Sequence, residues 1–303
     1  MFIVNHRKIW YTFSILLVTA SLFSVFYFGL KLNIDFTGGS LLEVEFSGAR
    51  PEISILQGKT NELNFGNVSL QPSGDKNLFV RSRHLSEDEH QKLVSALSSA
   101  APLTEIRFDS IGPVIGKELA QKSIYAIIFV IIMIIFYIAF AFRQVSTGLP
   151  RGDRGVSSFK FGLMAIVALI HDITTPLGVF AILGKISGAE IDILFVTAIL
   201  TVLGFSVHDT IVVFDRIREN LRKGMSKSFE ETVGMSVNQT ITRSINTSLT
   251  VILALLAIFF FGGETTKYFS LTLIIGVFFG TYSSIFLASP LLVTIYKFQN
   301  RKK

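Results

Sequence analysis

The chain has 303 residues, half of them hydrophobic, with 29 phenylalanines and no cysteine. Its mean hydropathy of +0.55 belongs to a polytopic membrane protein rather than a soluble globule. The lack of cysteine excludes disulfides, thiolate catalysis and Cys-ligated metals. In such a chain a net charge of +6 reads as Lys and Arg gathered on the cytoplasmic side of a membrane, not as a nucleic-acid footprint.

The first apolar run, 9–30, follows Asn5-His6-Arg7-Lys8. It is longer than a signal-peptide core and has no Ala-x-Ala cleavage site, so it reads as a retained transmembrane helix. Five more runs are long enough to cross a hydrocarbon core of about 30 Å: 123–142, 161–183, 192–214, 244–262 and 268–296. The last exceeds what a span requires and is expected to tilt, kink at Pro290 or project past the interface.

Basic residues set the orientation. His6, Arg7 and Lys8 precede the first span; Arg143, Arg151, Arg154 and Lys160 lie between the second and third. Arg216, Arg218, Arg222, Lys223, Lys227 and Arg243 lie between the fourth and fifth, and Lys297, Arg301, Lys302 and Lys303 close the chain. The alternate loops, 184–191 and 263–267, carry one lysine each. The positive-inside rule then puts both termini in the cytoplasm and the near-neutral segment 31–122 outside it.

That segment is long enough for a small domain. Residues 40–46 alternate like a strand, and 51–63 read as a helix opening on proline. Residues 67–71 and 77–82 flank a Pro-Ser-Gly-Asp turn. Ser86 opens a second helix, to about Ser99, with acidic residues in its first turn. Residues 105–109 form a last strand. The order β-α-β-β-α-β is that of a ferredoxin-like α+β domain, a fold that implies no chemistry by itself. The division is therefore 1–30, cytoplasmic N-terminus and first helix; 31–122, extracytoplasmic domain; and 123–303, helices two to six with cytoplasmic loops and C-terminus.

No Walker A sequence, dinucleotide fingerprint, His-Glu-x-x-His motif or nucleophile elbow occurs. His84 and His90 are expected on a solvated face rather than at a metal. With no nucleotide, metal or cofactor chemistry in view, a membrane gradient is the available energy source.

Three spans carry polar groups that lipid would not welcome. The third contains His171-Asp172, followed by Thr174, Thr175 and Pro176. The fourth contains His208-Asp209, with Ser206 and Thr210 beside it. The fifth opens with Arg243, and Asn246, Thr247 and Thr250 follow on the same helical face. That stripe is expected to face the bundle. Asp209 and Arg243 both fall in the cytoplasmic third. A nearby arginine favours a charged carboxylate and burial disfavours it, so a small helix shift would switch its proton. His171-Asp172 reads either as a second relay station or as a fixed pair supporting a kink at Pro176. His208 either tunes Asp209 or points to the interface. Gly276, Gly280 and Ser284 form a small-residue row suited to close helix packing.

Asp35-Phe-Thr-Gly-Gly-Ser40 after the first span, Ile111-Gly-Pro-Val-Ile-Gly-Lys-Glu-Leu119 before the second, Asp209-Thr-Ile-Val-Val-Phe-Asp-Arg-Ile-Arg-Glu-Asn220, and Arg243-Ser-Ile-Asn-Thr-Ser-Leu-Thr250 occur in this order. Together they resemble the SecF family of the SecD–SecF protein-export complex, in the RND superfamily. The resemblance covers essentially the whole chain. It implies an α-helical polytopic fold, a six-helix RND-like half with a small extracytoplasmic ferredoxin-like domain. It implies a non-enzymatic subunit of the cell inner membrane that works with SecD beside the SecYEG channel. Such a subunit uses the proton motive force in late steps of export, after the ATP-driven motor SecA. Its partners would be SecD, SecYEG, the translocating polypeptide and membrane lipid, with no cofactor, metal or nucleic acid. The family's proton-passage aspartate and arginine match Asp209 and Arg243. His208 departs from the polar residue often found before that aspartate, which leaves open an added titratable group at that position. Gly38, Gly39, Gly112 and Pro113, where domain meets membrane, are hinge candidates, with tight turns as the alternative. Two other readings stay open: a non-conducting scaffold for the translocon, and a small-molecule RND-type exporter.

Overall fold

Inside a bilayer only the chain itself can satisfy backbone N–H and C=O groups, so long apolar runs close into helices. The computed structural model describes residues 1–142, 158–226 and 228–300. The helices α1 (Phe2–Asn5) and α2 (Arg7–Phe28) precede a polar segment made of α3 (Ile34–Thr37), β1 (Gly39–Phe46), α4 (Ile53–Asn61), β2 (Ser69–Ser73), β3 (Asn77–Ser82), α5 (Glu87–Ser98) and β4 (Leu103–Ile111). Then come α6 (Pro113–Ala141), α7 (Ser158–Ile186), α8 (Ile193–Lys223), α9 (Phe229–Phe261) and α10 (Glu264–Tyr282). A π-helical stretch (Ser283–Ala288) joins α10 to α11 (Ser289–Asn300). Among the described residues six helices are long and apolar enough to cross a membrane, the last made of α10, the π stretch and α11. The charge-bearing Arg143, Arg151, Arg154, Lys227, Arg301, Lys302 and Lys303 lie outside the described residues. The chain forms two units, 1–31 with 126–303, and 32–125, so the division falls within α6.

In the helical unit, α8 and α9 outrun their apolar stretches. α8 continues past Phe214 to Lys223 and ends on Gly224 in the left-handed conformation. α9 begins at Phe229, where the Ser228 hydroxyl caps the Glu231 N–H at 3.2 Å. Ion pairs one turn apart support this extension: Arg216–Glu219 and Lys223–Glu219 at 2.5 Å and Arg218–Asp215 at 2.6 Å. Glu230 binds Arg7 at 2.8 Å and also pairs with Lys297, tying α2, α9 and α11 together. Phe142, Phe161 and Phe214 pack with ring centroids 5.2–6.0 Å apart. The expected irregularity near Pro290 falls one turn earlier, in the π stretch. Proline has no N–H for the Phe286 carbonyl and its ring crowds it; the wider turn relieves both, and the Ser289 hydroxyl donates to the Ser284 carbonyl at 2.8 Å.

The second unit is a four-stranded antiparallel sheet in the order β2-β3-β1-β4. Leu42 and Val44 of β1, Leu78 and Val80 of β3, Leu56 of α4, and Leu93 and Leu97 of α5 form its core. Pro72 is the penultimate residue of β2, on the sheet edge where its missing N–H is harmless, and the hairpin turn follows at 74–76. His90 is not on a solvated face. It is buried, its ring stacked on Phe108 at 3.7 Å, with Nε2 3.0 Å from Glu105 and Nδ1 3.3 Å from Glu87. The inner face of α5 carries it onto β4.

A capping box starts α5: the Ser86 hydroxyl accepts from the Glu89 N–H at 3.4 Å, and the Glu89 carboxylate accepts from the Ser86 N–H at 3.0 Å. Arg83 holds the same carboxylate with two hydrogen bonds, at 2.5 and 3.1 Å. The Arg83 bonds, then the Ser86 N–H, lower the Glu89 carboxyl from 4.5 to about 2. Because the folded value is depressed, the stabilisation is complete above the unfolded value and is lost as pH falls through the folded one. Glu89→Gln should therefore flatten the acid-side loss of hydrogen-exchange protection in β3, α5 and β4 between pH 4.5 and about 2. An unchanged slope in the variant would refute this assignment.

Candidate functional site

Two carboxyls lie buried among helices of the first unit. Asp172, near the middle of α7, is fully buried. Its Oδ2 accepts from the Ser206 hydroxyl of α8 at 2.5 Å and from the Ser283 hydroxyl of the π stretch at 2.8 Å. Its Oδ1 lies 2.9 Å from His171 Nδ1. Pro176 has no N–H to offer the Asp172 carbonyl one turn back, and the Thr175 hydroxyl donates to the His171 carbonyl at 2.8 Å. His171 is itself buried, facing the rings of Phe279 and Tyr282. Its Nε2 has no hydrogen-bond partner among the described residues.

Asp209 on α8 is also buried. Its Oδ1 accepts from the Ser244 hydroxyl of α9 at 2.8 Å, and Thr281 of α10 adds a polar contact to the carboxyl. Its Oδ2, out of contact with solvent, has no hydrogen-bond partner among the described residues. The neighbouring Thr210 hydroxyl is 2.7 Å from that of Ser284, and Ser248 bonds Thr281. This density of short polar chains follows from close approach of α10 to α8. A Cβ on Gly276 would overlap the Val202 side chain, and one on Gly280 would come within 3.1 Å of Ser206. The row Gly276, Gly280, Ser284 thus meets Val202, Ser206 and Thr210, which share its four-residue spacing.

Asp209 and Arg243 do not pair. Arg243, Asn246, Thr247 and Thr250 are all exposed, as is His208. The inward face of α9 is instead Ser236, Thr240, Ser244 and Ser248, all buried. The two rows differ by one residue of rotation, about 100°. The sequence carries a signal for this row: hydroxyl residues recur every fourth position from Ser236 to Ser248, beginning in the segment between the fourth and fifth apolar runs. Sequence reasoning chose the more polar row, although the small hydroxyls are the ones that fit between helices.

The hinge candidates are mostly close-packed. Gly38 has φ +72, and a Cβ there would lie 2.6 Å from the Pro113 Cα; one on Gly39, φ +129, would lie 2.7 Å from the Ser82 carbonyl oxygen. Gly116 closes against the Gly38 N–H in the same way, whereas Gly112 has open space around it. These glycines let the start of β1 and the start of α6 touch backbone to backbone, next to the pair Gly39↔Ile111. Among the described residues no cluster of three or more His, Asp or Glu side chains is arranged to hold a metal ion.

A family described as "Protein export membrane protein SecD/SecF, C-terminal" matches residues 92–150 and 155–298. The chain belongs to the SecD/SecF protein-export family. A second pattern of that family, the SecD/SecF GG motif, matches residues 23–49 and so includes Gly38-Gly39. The protein translocase subunit SecF of Thermobaculum terrenum is 45% identical, over 96% of this chain and 93% of its own length. That of Anaerolinea thermophila is 41% identical, over 96% and 92%. SecDF from Thermus thermophilus, described as a translocon-associated membrane protein, is similar at TM-score 0.82 and 30% identity, over 97% of this chain and 38% of SecDF. SecDF in a super-membrane-facing form gives 0.67, over 99% and 39%. The chain thus spans less than half of the SecDF polypeptide. With six apolar spans and this family, it is a multi-pass membrane protein.

The geometry of the SecD/SecF glycine pair makes a direct prediction. Gly38 combines φ +72 with ψ 165, a region essentially closed to other residues at a cost of about 1–3 kcal/mol, before the overlap with Pro113 is counted. Gly38→Ala should lower the thermal stability of the detergent-solubilised chain. Gly48→Ala, in open space at an ordinary φ, should leave it unchanged. Equal effects of the two would show that the close packing is not what Gly38 supplies.

Proposed function

We propose that this chain is a SecF-type subunit of the Sec protein translocation system. It works with a SecD partner beside SecYEG and uses the proton motive force to promote late steps of export of a translocating polypeptide. In this reading it sits in the cell inner membrane among lipid, with both termini cytoplasmic. The 32–125 unit is an extracytoplasmic ferredoxin-like domain, a reading supported by its antiparallel order β2-β3-β1-β4 with two helices on the core face.

One observation carries the proposal: a buried carboxyl and an exposed guanidinium are attached to neighbouring turns of the same helix pair. Ser244 holds Asp209, and the residue before it, Arg243, stands on the outer face with Asn246, Thr247 and Thr250. Hydrocarbon does not tolerate such a row. A second helical half against this face would cover it and bring its own polar groups towards Asp209. The similarity to SecDF, in which this chain matches only 38% of the polypeptide, supports a SecD-like half as that cover. Asp209 is then the proton-carrying group, Arg243 the exposed cation that the partner half covers, and His208, exposed beside Asp209, a neighbour able to tune it. One proton crossing 100 mV supplies about 2.3 kcal/mol, enough to bias a two-state rearrangement by roughly fiftyfold. The energy fits the task without nucleotide or cofactor.

The test is export into inverted vesicles carrying the native complex, with ATP alone and with ATP plus a proton gradient. Asp209→Asn and Arg243→Met should each reduce export to the ATP-only level, while the complex still assembles. Export that keeps its gradient-dependent part in Asp209→Asn would favour the scaffold. Gradient-driven efflux of small molecules by the chain without a partner would favour the exporter.

A further inference from the structure

Among the described residues Asp172 is the most completely buried carboxyl, and the proposed function of Asp209 leaves it unused. Its surroundings are unusual for a buried acid. No lysine or arginine among the described residues pairs with it, and its partners are two serine hydroxyls and the imidazole of His171. An ammonium or guanidinium only donates, and therefore fits only the charged carboxylate. A serine hydroxyl both donates and accepts. With Ser206 and Ser283 on Oδ2, the acid can lose or gain a proton there while every heavy atom stays in place, because the hydroxyls only have to turn. Asp209 is held in the same manner, by the Ser244 hydroxyl.

Further hydroxyls of the same kind lie between the two acids. Ser206, which binds Asp172, is one turn from Thr210 on α8. Ser284 touches both, with its Oγ 2.7 Å from the Thr210 hydroxyl and 3.4 Å from the Ser206 carbonyl oxygen. Ser283 and Ser284 are consecutive, yet one serves Asp172 and the other Thr210; the π stretch begins at this pair. One turn earlier, Thr281 bonds Ser248 and contacts Asp209. All these side chains are buried. π-helical turns are frequent at functional sites, and here the turn lies where the seam crosses from one acid to the other.

We infer that Asp172 is a second proton-carrying site in series with Asp209, joined to it by the hydroxyl seam of Ser206, Ser283, Ser284, Thr210 and Thr281. This rests on the reading of Asp209 as a proton site. In the step itself the Asp172 carboxyl gives up its Oδ2 proton and becomes a carboxylate. Each hydroxyl along the seam accepts one proton and releases its own, and the last proton lands on the free Oδ2 of Asp209, turning that carboxylate into a carboxyl. No other bond changes and charge is conserved. The step requires the gaps between the Ser206, Ser284 and Thr281 hydroxyls to close by rotation of a hydroxyl or through a water. Along α8 Asp172 is held one turn before Asp209, at Ser206, and along the last span two residues after it, at Ser283 against Thr281. The two acids therefore lie at about the same depth, and the step runs in either direction. The titratable groups that face Asp172 directly or through one ring are His171 of α7 and Tyr282 of α10; α8 presents the serine.

The experiment is gradient-dependent export in inverted vesicles carrying the native complex, comparing Asp172→Asn, Asp172→Glu and Asp209→Asn. Asparagine keeps the shape and cannot cycle a proton; glutamate keeps the proton and disturbs the shape. The inference expects Asp172→Asn to fall to the ATP-only level, as Asp209→Asn does, and Asp172→Glu to regain part of the gradient-dependent component. A merely structural Asp172 gives the reverse order, with Asn at or above Glu, and that result overturns the inference. A full gradient response in Asp172→Asn alongside its loss in Asp209→Asn overturns it while leaving the role of Asp209 intact. A full response in both removes the underlying reading as well. If Asp172→Asn does not accumulate, the double variant Ser206→Ala with Ser283→Ala decides: a lost gradient component supports the seam, and a preserved one overturns it.

Discussion

The helical unit is organised around the cost of keeping carboxyls away from water. An aspartate at the centre of a transmembrane helix costs about 2.5–3.5 kcal/mol on insertion scales, and the usual remedy is a paired cation. Asp172 and Asp209 are instead held by serine hydroxyls, with His171 beside Asp172, and no lysine or arginine among the described residues pairs with either. Serine side chains are short, so they can reach a carboxyl only if the helix backbones come close together. That requirement explains why α10 lies on α8 through Gly276 and Gly280. It explains the hydroxyl row of α9 in the same way. The small residues and the acids are therefore one arrangement: without the glycines the serines would stand too far away.

The same requirement shapes the last span. A regular helix would place Ser283 and Ser284 on faces about 100° apart in one continuous ladder, and Pro290 would interrupt that ladder from below. The π stretch Ser283–Ala288 absorbs the proline and lets both serines face inward. The backbone irregularity and the polar seam thus occupy the same turns.

Much of this was legible in the sequence. Hydropathy gave six spans because a bilayer permits few alternatives to a helix. Alternation, the Ser86 capping box and the turn before Asn77 gave the four strands and two longer helices of the smaller unit, but not the short α3. Three further features were not legible. The charged ends of α8 and α9 read as loop because hydropathy stops at Phe214, although helix propensity and one-turn ion pairs continue to Lys223. The inward face of α9 was assigned one residue off, because polarity was taken as the sign of burial where size decides it. His90 was read as solvated because the sequence does not show that Phe108 lies across from it in the fold. Asp209 was recognisable as an interior acid, but its partner was not. Ser244 looks unremarkable beside Arg243, and only packing distinguishes them.

That neighbouring pair has a consequence for coupling. Ser244 and Arg243 are consecutive on a rigid helix, one facing Asp209 and the other facing out. Neither can be displaced along or around the axis of α9 without displacing the other. Any partner that grips the outer row of Arg243, Asn246, Thr247 and Thr250 therefore acts on the Ser244–Asp209 hydrogen bond. Likewise, any change in that bond is felt on the outer face. Coupling between sites needs an element whose position both sites bias. α9 meets that condition by geometry alone, because its inner hydroxyl row and its outer polar row are built into the same helix, one residue apart.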